Sequence, residues 1–176
     1  MTGILQQIIL DFQSSAMEPG TLRLLEYSIV KNKAFICVGV RRCGKSTLMT
    51  QVMAKIIRDG VPPENILYIN FFDDRLTPLK SGNLAPVMDA YYSIYPEKQG
   101  KETIYCFFDE IQEVAGWEAF IDRIMRTENC RVFITGSSAK MLSKEIATQM
   151  RGRSLSWELF PFSFAEYLTH RGIDHI

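Results

Sequence analysis

Neither sign of charge is in excess: 20 Lys and Arg balance 20 Asp and Glu, so no acidic or basic field points to nucleic acid, membrane or an acidic substrate as partner. Cysteine is sparse. Cys37, Cys43, Cys106 and Cys130 lie far apart without a CxxC pair, which excludes a disulfide framework and points to a reducing interior. The two histidines, His170 and His175, lack metal-ligand spacing. No 18 apolar residues run together, and residues 1–11 carry neither a basic leader nor a cleavage-site pattern, so a cytoplasmic protein without membrane contact is expected. Repeats and low-complexity segments are absent too. What remains, 47% hydrophobic and 23% charged over 176 residues, is the composition of a one-domain globule that buries about 70% of its unfolded surface.

The organising stretch is Gly39-Val40-Arg41-Arg42-Cys43-Gly44-Lys45-Ser46, followed by Thr47. It fits the phosphate-binding pattern GxxxxGK[ST]. Apolar, β-forming residues 34–38 precede it, and Leu48, Met49, Val52, Met53, Ile56 and Ile57 follow at helical spacing, so the order is strand, glycine loop, helix. Gly39 and Gly44 permit backbone angles denied to other residues, letting successive N–H groups face phosphate oxygens at the positive end of the helix. Lys45 is placed to reach the β- and γ-phosphates, and Ser46 to offer its hydroxyl to a magnesium ion. A plain glycine turn would need neither the Lys nor the Ser. Cys43, near Lys45 and a helix start, is the one thiol with a reason for a lowered pKa and ready oxidation, although such loop positions usually just present their backbone.

In chain order, Ile4, Leu5, Ile8, Ile9 and Phe12 mark a first helix, and residues 22–29 read as a second short one. Residues 66–72 form a second buried strand ending in Asp73-Asp74, where a turn suffices to explain the carboxylates. Residues 77–82 read as loop and 84–95 as a helix with Pro86 in its first turn. Residues 104–108 are a third strand, 117–125 a helix with one apolar face, 131–134 a fourth strand, 139–150 a helix and 154–159 a fifth strand. Strands separated by helices call for a three-layer α/β sandwich around a mainly parallel five-stranded sheet, whose ligands bind at the carboxyl ends of the strands.

The polar clusters fall at those ends. Asp109-Glu110 follows four apolar residues in the Walker B pattern: Asp109 to hold magnesium, Glu110 to orient and deprotonate the water attacking the γ-phosphate. Alone, such a pair serves equally as a helix start. Thr135, Ser137 and Ser138 can sense the γ-phosphate or position that water, or can cap the next helix. Arg151 and Arg153 can stabilise developing negative charge, from this subunit or a neighbour's, or remain solvated.

With GVRRCGKSTL, YCFFDEIQEV, FITGSSAKML and RGRSLSWELFPFSFAEYL in that order, the chain resembles an AAA-like P-loop ATPase family of bacteria and archaea over most of residues 20–168. The resemblance implies the strand order 5-1-4-3-2, a base at Glu110, and a further C-terminal region after the FAEYL-like stretch. The division expected is an N-terminal helix at 1–20, the ATPase domain at 21–168 and a tail at 169–176. ATP and magnesium are the implied ligands. The client, protein or nucleic acid, and assembly into a homo-oligomer stay open. Three functions compete: a magnesium-dependent ATPase, a non-catalytic nucleotide-gated interaction domain, and a small-molecule phosphotransferase using the clustered arginines for an acceptor.

Overall fold

The structure is a computed structural model that describes residues 1–137, 150 and 152–173. The helix expected at 139–150 lies outside the described residues except for Met150, as do Ser138, Arg151 and His175. The elements are α1 (Thr2–Ser14), β1 (Ala34–Val38), α2 (Lys45–Arg58), β2 (Ile66–Asn70), α3 (Ala85–Ile94), β3 (Ile104–Asp109), α4 (Trp117–Thr127), β4 (Cys130–Gly136), β5 (Ser154–Glu158) and α5 (Phe164–His170). The five strands form one parallel sheet in the order β2-β3-β4-β1-β5. Read from the other edge, this is 5-1-4-3-2, the order the resemblance implies.

Strand geometry sends successive side chains to opposite faces, and both faces of the central strands β1, β3 and β4 are covered, which is why these read as apolar runs, whereas the edge strand β5 alternates. Ala34, Ile36 and Val38 of β1, with Cys106, Phe108, Val132 and Ile134, join the core shared with α1, α3 and α4. Phe35, Cys37, Phe107 and Phe133 face the other way, onto Leu48, Met49, Val52, Met53 and Ile56 of α2. On that face the rings of Phe107 and Phe133 stack at 4.3 Å and those of Phe35 and Trp157 at 4.7 Å. Stacked pairs across neighbouring strands contribute about 0.5–1.5 kcal/mol beyond area burial. They tie β3 to β4 and β1 to β5, and the tilted Phe35–Phe133 contact at 5.8 Å joins the two pairs.

Residues 22–29 form no helix. Arg23, Leu25, Tyr27 and Ile29 turn inward while Leu22, Leu24, Glu26, Ser28 and Val30 are exposed, the period of two of an extended chain rather than the 3.6 of a helix. Arg23 is only 6% exposed, and a buried arginine hides this alternation in the sequence because charged side chains are ordinarily exposed. The stretch expected as loop at 77–82 is largely the end of a 3₁₀ run, Asp74–Ser81, and Asp73 caps it by accepting from the Arg75 N–H at 3.0 Å. Among the described residues no helix is long and apolar enough to cross a membrane.

Candidate functional site

The loop between β1 and α2 turns where the sequence provides two glycines, but for two different reasons. Gly44, the residue capping α2, has φ +98°, a region that L side chains rarely adopt. Gly39 is required by crowding instead: a Cβ there would run into the Leu159 carbonyl and lie 2.6 Å from Cys43 Sγ. Val40, Arg41 and Arg42 are exposed on the loop, Arg42 with φ +64°. The Cys43 thiol is 4% exposed and packs in the α2-side core. That placement removes the ready access to oxidants expected of it. Burial, foremost, pushes the neighbouring Cys37 thiol up to about 12.

Lys45 is 4% exposed, and its Nζ donates to the carbonyls of Gly39 and Val40, both at 3.0 Å, so it lies back across the loop that precedes it. The ammonium is 3.5 Å from Glu110 Oε1. Ser46, one residue further along α2, donates to Asp109 Oδ2 at 2.7 Å. Thr47 follows in the same turn. Parallel pairing of β3 beside β4, and of β4 beside β1, brings the ends of all three strands together, which is how residues 63 positions apart meet.

Asp109 is 1% exposed and accepts from three hydroxyls: Ser46, Tyr68 at 2.8 Å, and Thr135. Burial, then the charge of Asp109, drives the Tyr68 phenol upward and keeps it a donor. Thr135, fully buried at the end of β4, also accepts from the Glu110 N–H at 2.9 Å. Glu110 itself stands at φ +55°, a left-handed conformation that costs a non-glycine residue about 1–3 kcal/mol and persists only where neighbours enforce it. Thr135 is one of those neighbours. Burial in this network keeps its hydroxyl from meeting a phosphate directly.

Gln112 was not anticipated. Its Nε2 donates to Glu110 Oε2 at 2.5 Å and to Ser137 Oγ at 3.2 Å, linking the carboxylate to the residue beyond β4. Among the described residues its own Oε1 is buried without a partner. No general motif marks a Gln two residues after the carboxylate pair. Also unanticipated was Arg23, whose guanidinium meets the rear of the loop by donating to the Cys43 carbonyl at 2.5 Å.

Arg153 does not join this group. It precedes β5 at the opposite end of the sheet, where it pairs with Asp122 at 3.2 Å. The five residues of β5, at about 3.3 Å each, separate it from the loop. The expectation of a catalytic Arg153 within this subunit is therefore corrected: a sequence cannot say at which end of a strand its neighbour will stand until the strand's direction is known.

The chain is 36% identical over 172 residues to the uncharacterized protein MJ1544 of Methanocaldococcus jannaschii, covering 97% of this chain and 36% of that protein. It is 37% identical over 150 residues to an uncharacterized protein of Haemophilus influenzae, covering 82% of this chain and again 36% of the relative. The chain thus spans little more than a third of either relative. PCH-2 of C. elegans shares the fold, with a TM-score of 0.54 at 17% identity over 94% of this chain and 43% of that one. A family model described as an AAA domain matches residues 31–168. Since that match runs from just before β1 through most of α5, the chain belongs to the AAA-domain family, and its fold is that of a nucleotide-binding, ATPase-like module.

Proposed function

We propose that this chain is an ATP-binding, magnesium-dependent ATPase module that hydrolyses ATP to ADP and phosphate, with residues 21–168 as the ATPase domain. The observation that carries the reading is the convergence of Lys45, Ser46, Asp109 and Glu110 at the carboxyl ends of β1 and β3. An ammonium, a hydroxyl and two carboxylates, drawn from two motifs far apart in sequence, meet at the end of the sheet where parallel α/β folds bind ligands.

The donors suit magnesium. Asp109 is buried, and among the described residues its hydrogen-bond partners are hydroxyls, with no ion-pair partner. A buried carboxylate without a cation is costly, and a hard divalent ion beside Ser46 and Asp109 would neutralise it. Among the described residues no cluster of three His, Cys, Asp or Glu occurs, which fits a cation that takes one or two protein oxygens and completes its shell with phosphate and water. Bound there, magnesium would supply neutralising charge to the β- and γ-phosphate oxygens.

The chain's own groups do the rest. The N–H groups of the loop and of the α2 terminus hold the phosphates. Lys45 exchanges the carbonyls of Gly39 and Val40, and the Glu110 carboxylate 3.5 Å away, for phosphate oxygens. Glu110 takes a proton from the attacking water as its oxygen bonds to the γ-phosphorus. The bond from that phosphorus to the bridging oxygen breaks, and its electrons leave with ADP. Gln112 and Ser137 keep the Glu110 carboxylate aimed, and Thr135 holds its backbone.

The reading is tested by Glu110→Gln, which preserves size and hydrogen bonding but removes basicity. ATP and magnesium binding should persist while phosphate release without any added acceptor falls about 100-fold or more, the scale of a positioned general base. Equal hydrolysis by wild type and variant removes Glu110 from the chemistry. Binding without turnover in the wild type favours the nucleotide-gated interaction domain.

A further inference from the structure

Arg23 is bound on every side. Its Nε pairs with Glu166 Oε1 at 2.9 Å, one terminal nitrogen donates to the Cys43 carbonyl at 2.5 Å, and the other donates to the Phe160 carbonyl at 2.7 Å. The Phe162 ring lies 5.0 Å from the guanidinium carbon. Its side chain is 2% exposed and that of Glu166 6%. Glu166 in turn accepts from the backbone N–H groups of Leu24 and Ser163, at 2.8 and 2.7 Å. Three chain segments thus converge on one ion pair: the extended stretch before β1, the phosphate loop, and α5 with the turn that leads into it.

The contact with Cys43 falls at a telling place. A peptide unit is planar, and its C=O and N–H point in opposite directions when it is trans; this chain has no cis bonds among the described residues. Pulling the Cys43 carbonyl onto the rear guanidinium therefore aims the Gly44 N–H away from the rear face, to the side where the loop can receive an anion. Gly44 admits this arrangement because a Cβ there would lie 2.6 Å from the guanidinium nitrogen.

We infer that Arg23 is a positioning residue that turns the Cys43–Gly44 peptide so its N–H faces the phosphates, and that Glu166 locks Arg23 in place, making phosphate affinity depend on α5 staying docked. This rests on the reading of residues 39–46 as a phosphate-binding loop. Neither residue touches the nucleotide. Both act from behind the loop, and a segment more than 110 positions downstream is thereby coupled to the binding site.

The test uses inorganic pyrophosphate and ATP, each titrated by calorimetry into the full chain well below its melting temperature. Wild type and Lys45→Ala establish whether the loop binds phosphates at all. Arg23→Lys keeps the charge but not the planar fork that makes three contacts at once, and should weaken both ligands equally, by about tenfold, the scale of one well-placed hydrogen bond to a charged group. Glu166→Gln keeps the shape and should weaken both by a smaller factor, about threefold; it carries the test if Arg23→Lys does not fold. A purely scaffolding role predicts a lower melting temperature with unchanged pyrophosphate affinity in the folded protein, and that result overturns the inference. If wild type binds neither ligand, the phosphate-loop reading fails first and this one with it. If wild type binds, Lys45→Ala does not, and both rear variants bind like wild type, only this inference falls.

Discussion

At the amino end of the sheet, Lys98 donates to Asn65 at 2.9 Å and to Glu102 at 3.0 Å, and Asp122 is shared between Arg126 at 3.0 Å and Arg153 at 3.2 Å. At the carboxyl end, among the described residues, Lys45 leans on two loop carbonyls and stands 3.5 Å from Glu110, the Asp109 carboxylate meets only hydroxyls, and Gln112 keeps a buried carbonyl oxygen unpartnered. Similar residue types are present at both ends. In the first set each charge has a close counter-charge, so nothing is gained by a ligand. In the second, charges are held in place with their needs incompletely met, and the backbone of Glu110 is strained into position. Under the proposed function, ATP and magnesium would complete this site.

Removing the central cation of the open end is the most severe way to break the contrast. Lys45→Ala should weaken ATP binding by about a hundredfold, as expected for losing charge-assisted contacts of about 1.5–3 kcal/mol, and should cost some stability because Glu110 loses its cation. Titration calorimetry reads the first effect; an unchanged dissociation constant would place ATP elsewhere. Asp109→Asn comes next. It should raise the magnesium concentration needed for half-maximal ATP binding by about tenfold, and identical magnesium titrations in both proteins would remove Asp109 from the metal's surroundings.

A third prediction concerns acid. Burial raises the pKa of the Glu166 carboxyl, but hydrogen bonds from Arg23 and from the Leu24 and Ser163 N–H groups outweigh it and hold the value at about 2, against an ordinary 4.5. A carboxylate depressed on folding contributes stability in full above its unfolded pKa and loses it as the pH falls through the folded one. Wild type should therefore lose stability between about pH 4.5 and pH 2 more steeply than Glu166→Gln in urea unfolding followed across that range; parallel curves would mean the pair is not coupled to folding. The smallest effect belongs to the closed end. Arg153→Ala should leave ATP binding and hydrolysis unchanged and cost about 1 kcal/mol or less, the usual yield of a half-exposed ion pair. A marked fall in hydrolysis at high protein concentration would instead assign Arg153 to a neighbouring subunit's site.

The motif residues could be read in advance because their chemistry depends on local spacing. A glycine loop must join a strand to a helix to present its N–H groups, and a carboxylate pair must stand at the carboxyl end of a strand to face that loop, so residues 39–47 and 109–110 announce themselves. The central strands and the amphipathic α4 were equally plain, since burial on both faces leaves a continuous apolar run and burial on one face leaves a period. Glu166 had a weaker signal in Ser163-x-x-Glu166, a spacing that forms the capping box seen at the start of α5.

What no stretch of sequence contains is which distant residues share a place. The alternation at 22–29 was hidden because a buried arginine looks like a surface one until its partner, 143 positions away, is known. Arg153 looked like a second arginine for the site until the parallel pairing of β5 with β1 put it at the far end of the sheet. Gln112, Tyr68 and Thr135 acquire their roles only from the neighbours that strand order supplies. The sequence by itself determined the phosphate loop, the carboxylates and the parallel α/β architecture, because each is written in short-range spacing and hydrophobic period. The tertiary structure alone decided which charges meet a close counter-charge and which meet only neutral groups, because charge compensation depends on distance in space.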